Sequence, residues 1–186
     1  MRIVGGDFRG RLLAAPKSSA IRPTTDRTRE SLFNILSHAY PESLDGTRVL
    51  DLFSGTGALG IEALSRGARY CLFVEESAEG RGLLRENVEA FSLQGKTRIF
   101  RRDATDLGPA GPIDPFDLVF ADPPYGKGLG ERALVCAGEN GWLVNGALIA
   151  LEEAATANVI LPAPFSLLET RPYGESLIRI LRWKAA

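Results

Sequence analysis

The run Arg48-Val-Leu-Asp51-Leu-Phe53-Ser-Gly55-Thr-Gly57-Ala-Leu-Gly60 decides the fold. Arg48 to Phe53 is an apolar run of strand length, and Ser54 to Gly57 is a loop. Ala58 to Arg66 reads as a helix stopped by Gly67. A strand, a glycine loop and a helix in that order form the first unit of a parallel sheet covered by helices. Downstream, the pattern predicts strands at 70–74, 97–100, 116–121 and 147–151, with helices at 78–93 and 129–139. Leu83, Leu84, Val88 and Phe91 would share one side of the first of these helices. Runs 165–170 and 176–183 flank Pro172-Tyr-Gly174 and predict an antiparallel hairpin, an edge that mixed sheets commonly carry.

Upstream of this body, Asp26 is the expected N-cap of a helix over 27–39. Its apolar positions are Leu32, Ile35, Leu36 and Ala39, with Phe33 beside them, and Pro41 stops it. Residues 2–4 and 11–13 flank Gly5-Gly6-Asp7 and Gly10, which predicts a short hairpin. The stretch 15–25, with Pro16 and Pro23, is irregular. The expected organisation is an N-terminal hairpin-and-helix extension over 1–40 and one compact α/β domain over 41–186.

Composition narrows the classes. With 186 residues, 45 % hydrophobic and 24 % charged, the chain is neither disordered nor collagen-like. No apolar run approaches the ~18 residues of a membrane span. Residues 1–11 lack the apolar stretch of a signal peptide. Cys71 and Cys136 form no CxxC pair, as expected of a reduced, cytoplasmic protein. The single histidine, His38, rules out a His-rich metal site, and no metal is expected. Net charge is −1, but it is unevenly placed. Residues 1–30 hold seven basic and three acidic groups, hence +4; the remainder hold 15 basic and 20 acidic, hence −5. A basic arm on an acidic body suits a chain that touches a polyanion, although it also suits a solvated surface segment.

Gly55-Thr-Gly57-Ala-Leu-Gly60 is a GxGxxG between a strand and a helix, where a parallel sheet binds ligands. The motif alone suggests a dinucleotide. Asp51, four residues before the first glycine, argues against one. A carboxylate there repels a pyrophosphate and attracts an ammonium. S-adenosylmethionine carries both an ammonium and a nucleoside. Glu75, at the end of the second strand, is placed to accept both ribose hydroxyls. Asp103-Ala104 follows the third strand and would accept the adenine amino group and offer an N–H to a ring nitrogen, unless Asp103 only caps a turn.

Asp122-Pro-Pro-Tyr125 follows the fourth strand directly. Two prolines cannot donate ladder bonds, so the strand stops and the loop stiffens. Asp122 and a proline carbonyl become fixed acceptors beside an aromatic ring. An exocyclic amine on a planar base needs that set: two acceptors for two hydrogens, and a ring to stack on. Held so, its nitrogen can meet a methylsulfonium in line. The cofactor brings the electrophile, so no strong base is required.

Asp51 to Gly57 together with Asp122-Pro-Pro-Tyr125 resembles the amino-methylating Rossmann-like methyltransferases. Arg2-Ile-Val-Gly-Gly6, Arg9-Gly-Arg11 and Arg22-Pro-Thr-Thr-Asp-Arg27, with Glu30 to Asn34, are similar to the RsmD family of bacterial 16S ribosomal RNA guanine-N2 methyltransferases. The resemblance implies a class I S-adenosylmethionine-dependent fold with a mostly parallel seven-stranded sheet. It implies methylation of guanine 966 within an assembling or assembled 30S subunit, with no partner needed outside that particle and no membrane. By position, Asp51, Phe53, Ser54, Gly55, Gly57, Glu75, Asp103 and Ala104 would hold the cofactor. Asp122, Pro123 and Tyr125 would hold the guanine. Arg9, Arg11, Lys17, Arg22, Thr25, Arg27 and Arg29 would meet RNA. Glu76, Trp142 and Tyr173 are expected to pack or face solvent. The same four-residue loop also suits adenine N6 or a protein glutamine amide. A binding protein on a degenerate fold and an NAD-dependent oxidoreductase are the more distant alternatives.

Overall fold

The computed structural model describes residues 1–16 and 24–185. Among them, seven strands form one sheet in the order β3-β2-β1-β4-β5-β7-β6. The strands are β1 (Arg48–Leu52), β2 (Tyr70–Val74), β3 (Thr97–Phe100), β4 (Phe116–Ala121), β5 (Leu143–Ala154), β6 (Phe165–Tyr173) and β7 (Ser176–Trp183). Strands β1 to β5 pair in parallel; β7 pairs antiparallel with both β5 and β6. The helices are α1 (Asp26–Ala39), α2 (Ala58–Ser65), α3 (Ala78–Ala90) and α4 (Leu129–Glu139). Two apolar layers sandwich the sheet. Helices α1 to α3 contribute to one with Phe73 and Phe120; α4 contributes to the other with Leu72 and Val119.

The expected elements are present, with informative shifts at their ends. Strand β5 spans twelve residues because it already pairs with β4 at Phe116↔Leu143 and β7 stays paired to it as far as Ala154↔Ser176. Pro172 and Tyr173 lie inside β6, and the turn is Gly174-Glu175. An edge strand tolerates that proline, since it has a side with no ladder partner. The N-terminal hairpin is short: it centres on the Arg2↔Leu12 bridge, with the Ile3 N–H bonded to the Arg11 carbonyl at 3.0 Å and the Leu13 N–H to that of Met1 at 3.1 Å. Thr25, not Asp26, caps α1: its hydroxyl accepts the Thr28 N–H at 3.1 Å. Helix α1 buries Leu32, Phe33 and Leu36, whereas Ala39 faces solvent. Burying three such side chains contributes roughly 1.5–3 kcal/mol each. The cap contributes about 1 kcal/mol, so packing, above all Phe33 on Phe120 at 5.5 Å, fixes the helix.

Arg29 corrects the sequence reading. It belongs to the same stripe as Leu32, Phe33 and Leu36 and is fully buried, so it cannot meet a phosphate. Its guanidinium donates to the Thr24 carbonyl at 3.0 Å, the Asp26 carboxylate at 2.9 Å and the Arg2 carbonyl. Burial would raise the Asp26 carboxyl, but the bonds from Arg29 and Arg2 outweigh it and hold that group below its usual range. Behind Arg29 lies Glu62 of α2, also fully buried, 4.0 Å away. Glu62 further accepts the Val4 N–H and the Arg66 guanidinium, both at 2.9 Å.

The first residues clamp onto the end of α2. The Ser65 carbonyl takes the Asp7 N–H at 2.8 Å, and its hydroxyl accepts from Phe8 and donates to Gly5. Gly6 has φ +74°, and a Cβ there would lie 1.9 Å from the Ser65 carbonyl oxygen. Ile3 and Leu13 thereby reach the same core as α1 and α2.

Arg29→Ala should lower stability by about 2–4 kcal/mol, because it leaves a cavity and takes the donor from the Thr24 and Arg2 carbonyls, while Glu62 keeps Arg66 and Val4. Chemical denaturation reads this directly; a loss under ~1 kcal/mol would refute the pinning role.

Candidate active site

The register of the parallel strands builds the site. Val74, Leu52, Ala121 and Leu151 form one row across β2, β1, β4 and β5. The residues that follow them at the carboxyl edge are Glu75, Phe53, Asp122 and Glu152. All four line one cleft of about 1510 Å³. It opens between β1 and β4, where the strand order reverses and the chain leaves to opposite faces.

On the β1 side, β1 ends at Leu52 and Phe53 turns the chain with φ 58°, a left-handed conformation unusual for a bulky residue. The Ser54 hydroxyl lies 2.5 Å from the Asp51 carbonyl and 3.1 Å from that of Val74, closing the loop on both strands. Gly57 has φ +80° and starts α2, but it lies beneath the cleft rather than in its lining. A Cβ there would strike Leu84 at 2.4 Å. Gly60 lets α2 settle on β2, since a Cβ would meet Phe73 at 2.4 Å. Buried Asn87 of α3 braces the loop, donating to the Thr56 carbonyl at 2.9 Å and accepting the Ala14 N–H at 2.8 Å.

The Asp51 carboxylate is 2 % exposed yet lines the cleft. One oxygen accepts the Gly60 N–H at 3.0 Å. Desolvation pushes its pKa well above the usual range; the Gly60 bond opposes this, and the negative neighbours Asp122 and Glu75 add to it. Such a group gains most from a cation brought into the cleft. Glu75 spans the loop and the end of β2: its oxygens accept the Gly55 and Ser77 N–H groups, each at 2.8 Å. Asp103 makes the local turn, taking the Thr105 N–H and hydroxyl at 2.8 Å, and those bonds hold its carboxyl below the ordinary range. It still lines the cleft, as does buried Ala104.

On the β4 side, Asp122 accepts the Thr24 hydroxyl at 2.6 Å. Since Arg29 holds the Thr24 carbonyl, the buried arginine positions that hydroxyl. The Tyr125 hydroxyl donates to Glu152 Oε1 at 2.6 Å, and the Ser176 hydroxyl donates to the same oxygen at 2.8 Å. The Gly126 N–H bonds to Glu153 at 2.9 Å. Two adjacent acids of β5 therefore hold the loop after the prolines. Burial, then the Glu152 bond and the Asp122 charge, push the Tyr125 phenol far up, so it stays neutral.

Asp51, Phe53, Ser54, Gly55, Glu75, Asp103, Ala104, Asp122, Pro123 and Tyr125 thus converge on one cleft, with Thr25 and Arg27 at its wall. Exposed Arg9 and Arg11 do not reach it. The Arg11 guanidinium lies 4.1 Å from the Phe91 ring centre and donates to the Ala90 carbonyl at 2.6 Å. Lys17 and Arg22 lie outside the described residues. Trp142 is buried in the core, Tyr173 packs half-buried against the apolar core and Glu76 is exposed, as expected; Glu76 and Tyr173 also line the cleft. The sequence reading missed Thr24, Glu152 and Ser176. Glu152 carried a signal, an acid directly after the fifth apolar run; Thr24 lay within the Arg22 to Arg27 motif, expected to border the site but with no role of its own, and Ser176 had no signal. No cluster of metal-ligating side chains occurs among the described residues.

Residues 1–182 match the family model described as "Conserved hypothetical protein 95". The chain is 38 % identical over 187 residues to the Ribosomal RNA small subunit methyltransferase D of Escherichia coli, covering 100 % of this chain and 91 % of that one. The enzyme of the same name from Haemophilus influenzae is 35 % identical over 176 residues, 94 % and 89 % of the two chains. A solved methyltransferase structure from Escherichia coli superposes with a TM-score of 0.85 at 35 % identity, covering 100 % of this chain and 99 % of that one.

Only ionised Asp51 can pair with an ammonium, so affinity for S-adenosylhomocysteine should fall as pH drops through the raised Asp51 range. Asp51→Asn should weaken binding ~10-fold or more and flatten that dependence, as loss of a charged hydrogen bond does. Calorimetry across pH tests both; an unchanged dissociation constant would remove the ammonium contact.

Proposed function

Because the chain belongs to the RsmD family of small-subunit ribosomal RNA methyltransferases, we propose that it methylates the exocyclic N2 of guanine 966 in 16S ribosomal RNA. Its substrate is the RNA within an assembling or assembled small subunit, in the cytoplasm, and its methyl donor is S-adenosylmethionine. The observation that carries this reading is the facing of two carboxylate sites across one cleft, Asp51 at the end of β1 and Asp122 at the end of β4.

The β1 side fits the cofactor. Asp51, buried and desolvated, gains its missing cation from the amino-acid ammonium. Each Glu75 oxygen already accepts one backbone N–H and keeps a lone pair for a ribose hydroxyl. Asp103 and the Ala104 amide, which line the same cleft, would take the adenine edge. Bound there, the cofactor would supply a sulfonium methyl: the N2 lone pair would take the methyl carbon, the carbon–sulfur pair would stay on sulfur, and N2 would be left with one surplus proton.

The β4 side holds the base. Asp122, fixed by Thr24, accepts one N2 hydrogen, and the Pro123 carbonyl accepts the other. Tyr125 offers its ring as a stacking surface. Its raised pKa keeps the phenol protonated, with no phenolate to take that proton, so the surplus proton passes to Asp122 or to water. Positioning is the main contribution, since the electrophile needs no activation.

The RNA contact falls to the exposed arginines near the N-terminus. With Arg29 in the core, Arg9 beside the hairpin and Arg27 at the cleft wall are, among the described residues, exposed and placed for phosphates. The particle's own surface supplies the rest of the docking, which reconciles a net charge of −1 with an RNA substrate.

The decisive experiment is transfer of labelled methyl to small subunits lacking their own methylations, with naked 16S RNA, DNA and total protein in parallel. Label recovered as N2-methylguanosine from the subunit is expected. Label in adenine or glutamine would move the substrate and keep the cofactor site. In the same assay Asp122→Ala should cut turnover ~10²-fold or more while S-adenosylhomocysteine still binds. Unchanged turnover would remove Asp122 from the mechanism. Arg9→Gln with Arg27→Gln should raise KM for particles and flatten its salt dependence, because each phosphate contact releases counterions. An unaltered salt slope would make both bystanders.

A further inference from the structure

Glu152 lines the cleft on the strand beside Asp122, and the reading above leaves it only as a support for Tyr125. The register Ala121↔Leu151 makes Asp122 and Glu152 neighbours at the parallel edge of β4 and β5. Adjacent strands lie about 4.8 Å apart. Glu152 Oε1 takes the Tyr125 and Ser176 hydroxyls, at 2.6 and 2.8 Å. No described residue donates to Oε2. Two hydroxyl donors on one oxygen fix the carboxylate in place and leave the other oxygen as an acceptor. Glu175, at the tip of the β6–β7 turn, adds a third acid to this end of the cleft.

Two neighbouring carboxylates make an acceptor-only wall, because an ionised carboxylate offers no donor. Guanine presents two kinds of donor on one edge, N1–H beside the N2 amine. Adenine presents its amine beside a bare N1 lone pair. We propose that Glu152 selects guanine by accepting the N1–H while Asp122 takes the N2 amine. This rests on the assignment of guanine N2 as the methylated atom. A base with an unprotonated N1 sets a lone pair against the Glu152 carboxylate. An unpaired charged acceptor of that kind costs ~1–3 kcal/mol, or roughly 5-fold to 150-fold in rate.

The test uses small subunits reconstituted with 16S RNA carrying guanine or 2-aminopurine at the target position. 2-Aminopurine keeps the 2-amino group and lacks the N1–H. Wild-type protein should favour guanine by ~10-fold or more in kcat/KM. Glu152→Gln keeps a carbonyl for Tyr125 and Ser176 and turns the other atom into an N–H donor. It should lose rate on guanine, gain rate on 2-aminopurine, and bind S-adenosylhomocysteine normally. A residue that merely supports Tyr125 would slow both substrates equally, and that result overturns the proposal. So does wild-type protein that methylates both particles at the same rate, which needs no variant to fold. Failure of wild-type protein on guanine particles overturns the assignment of N2 itself and this inference with it; activity on guanine without discrimination overturns this inference alone.

Discussion

Two parallel strands that lie side by side, but send their chains to opposite faces of a sheet, must leave a gap between their carboxyl ends. Strands β1 and β4 do this: α2 packs on one face and α4 on the other. The rest of the site follows from that gap. The glycine loop forms one lip and the Asp-Pro-Pro-Tyr loop the other. Neither lip needs to move far to reach the other, because a single row of register sets both at one level. The strained turn at Phe53 and the stiff prolines at 123 and 124 are local means of ending the strands there.

The cleft gathers acids. Asp51, Glu75, Asp122 and Glu152 share it, and the first is desolvated enough to resist its charge. Such a wall repels the phosphates of a dinucleotide and of the RNA backbone alike. It favours a cationic cofactor on one side and the donor edge of a base on the other. Under the proposed function the polyanion falls to basic residues of the N-terminal segment, at the cleft wall and beyond it. The charge asymmetry of the chain is therefore a division of labour between cleft and rim.

The N-terminal segment does more than carry charge. Arg29 and Glu62 form a buried pair joining α1 to α2, and Arg29 also grips the Thr24 carbonyl. Thr24 then holds Asp122. A continuous set of bonds runs from the core between α1 and α2 to the Asp122 carboxylate in the cleft. The clamp of Gly5 to Phe8 on Ser65 anchors the same segment at its other end.

The order of strands and helices, the glycine loop with its Asp51, and the Asp-Pro-Pro-Tyr loop were legible in the sequence by itself. Each is a local pattern in which apolar period, turn chemistry and a chemical group coincide within a few residues. Helical period also held the clue that Arg29 shares the buried stripe of Leu32, Phe33 and Leu36, but an arginine in a basic arm reads as a phosphate ligand until its surroundings are known. Only the tertiary structure decided that Arg29 is a core residue, that Thr24 reaches Asp122 from 98 positions away, and that Glu152 and Ser176 meet Tyr125. The reason is physical: those contacts depend on the register between β4, β5 and β7 and on how α1 seats against the sheet. Both are set by packing among segments distant in the chain, and no single segment encodes them.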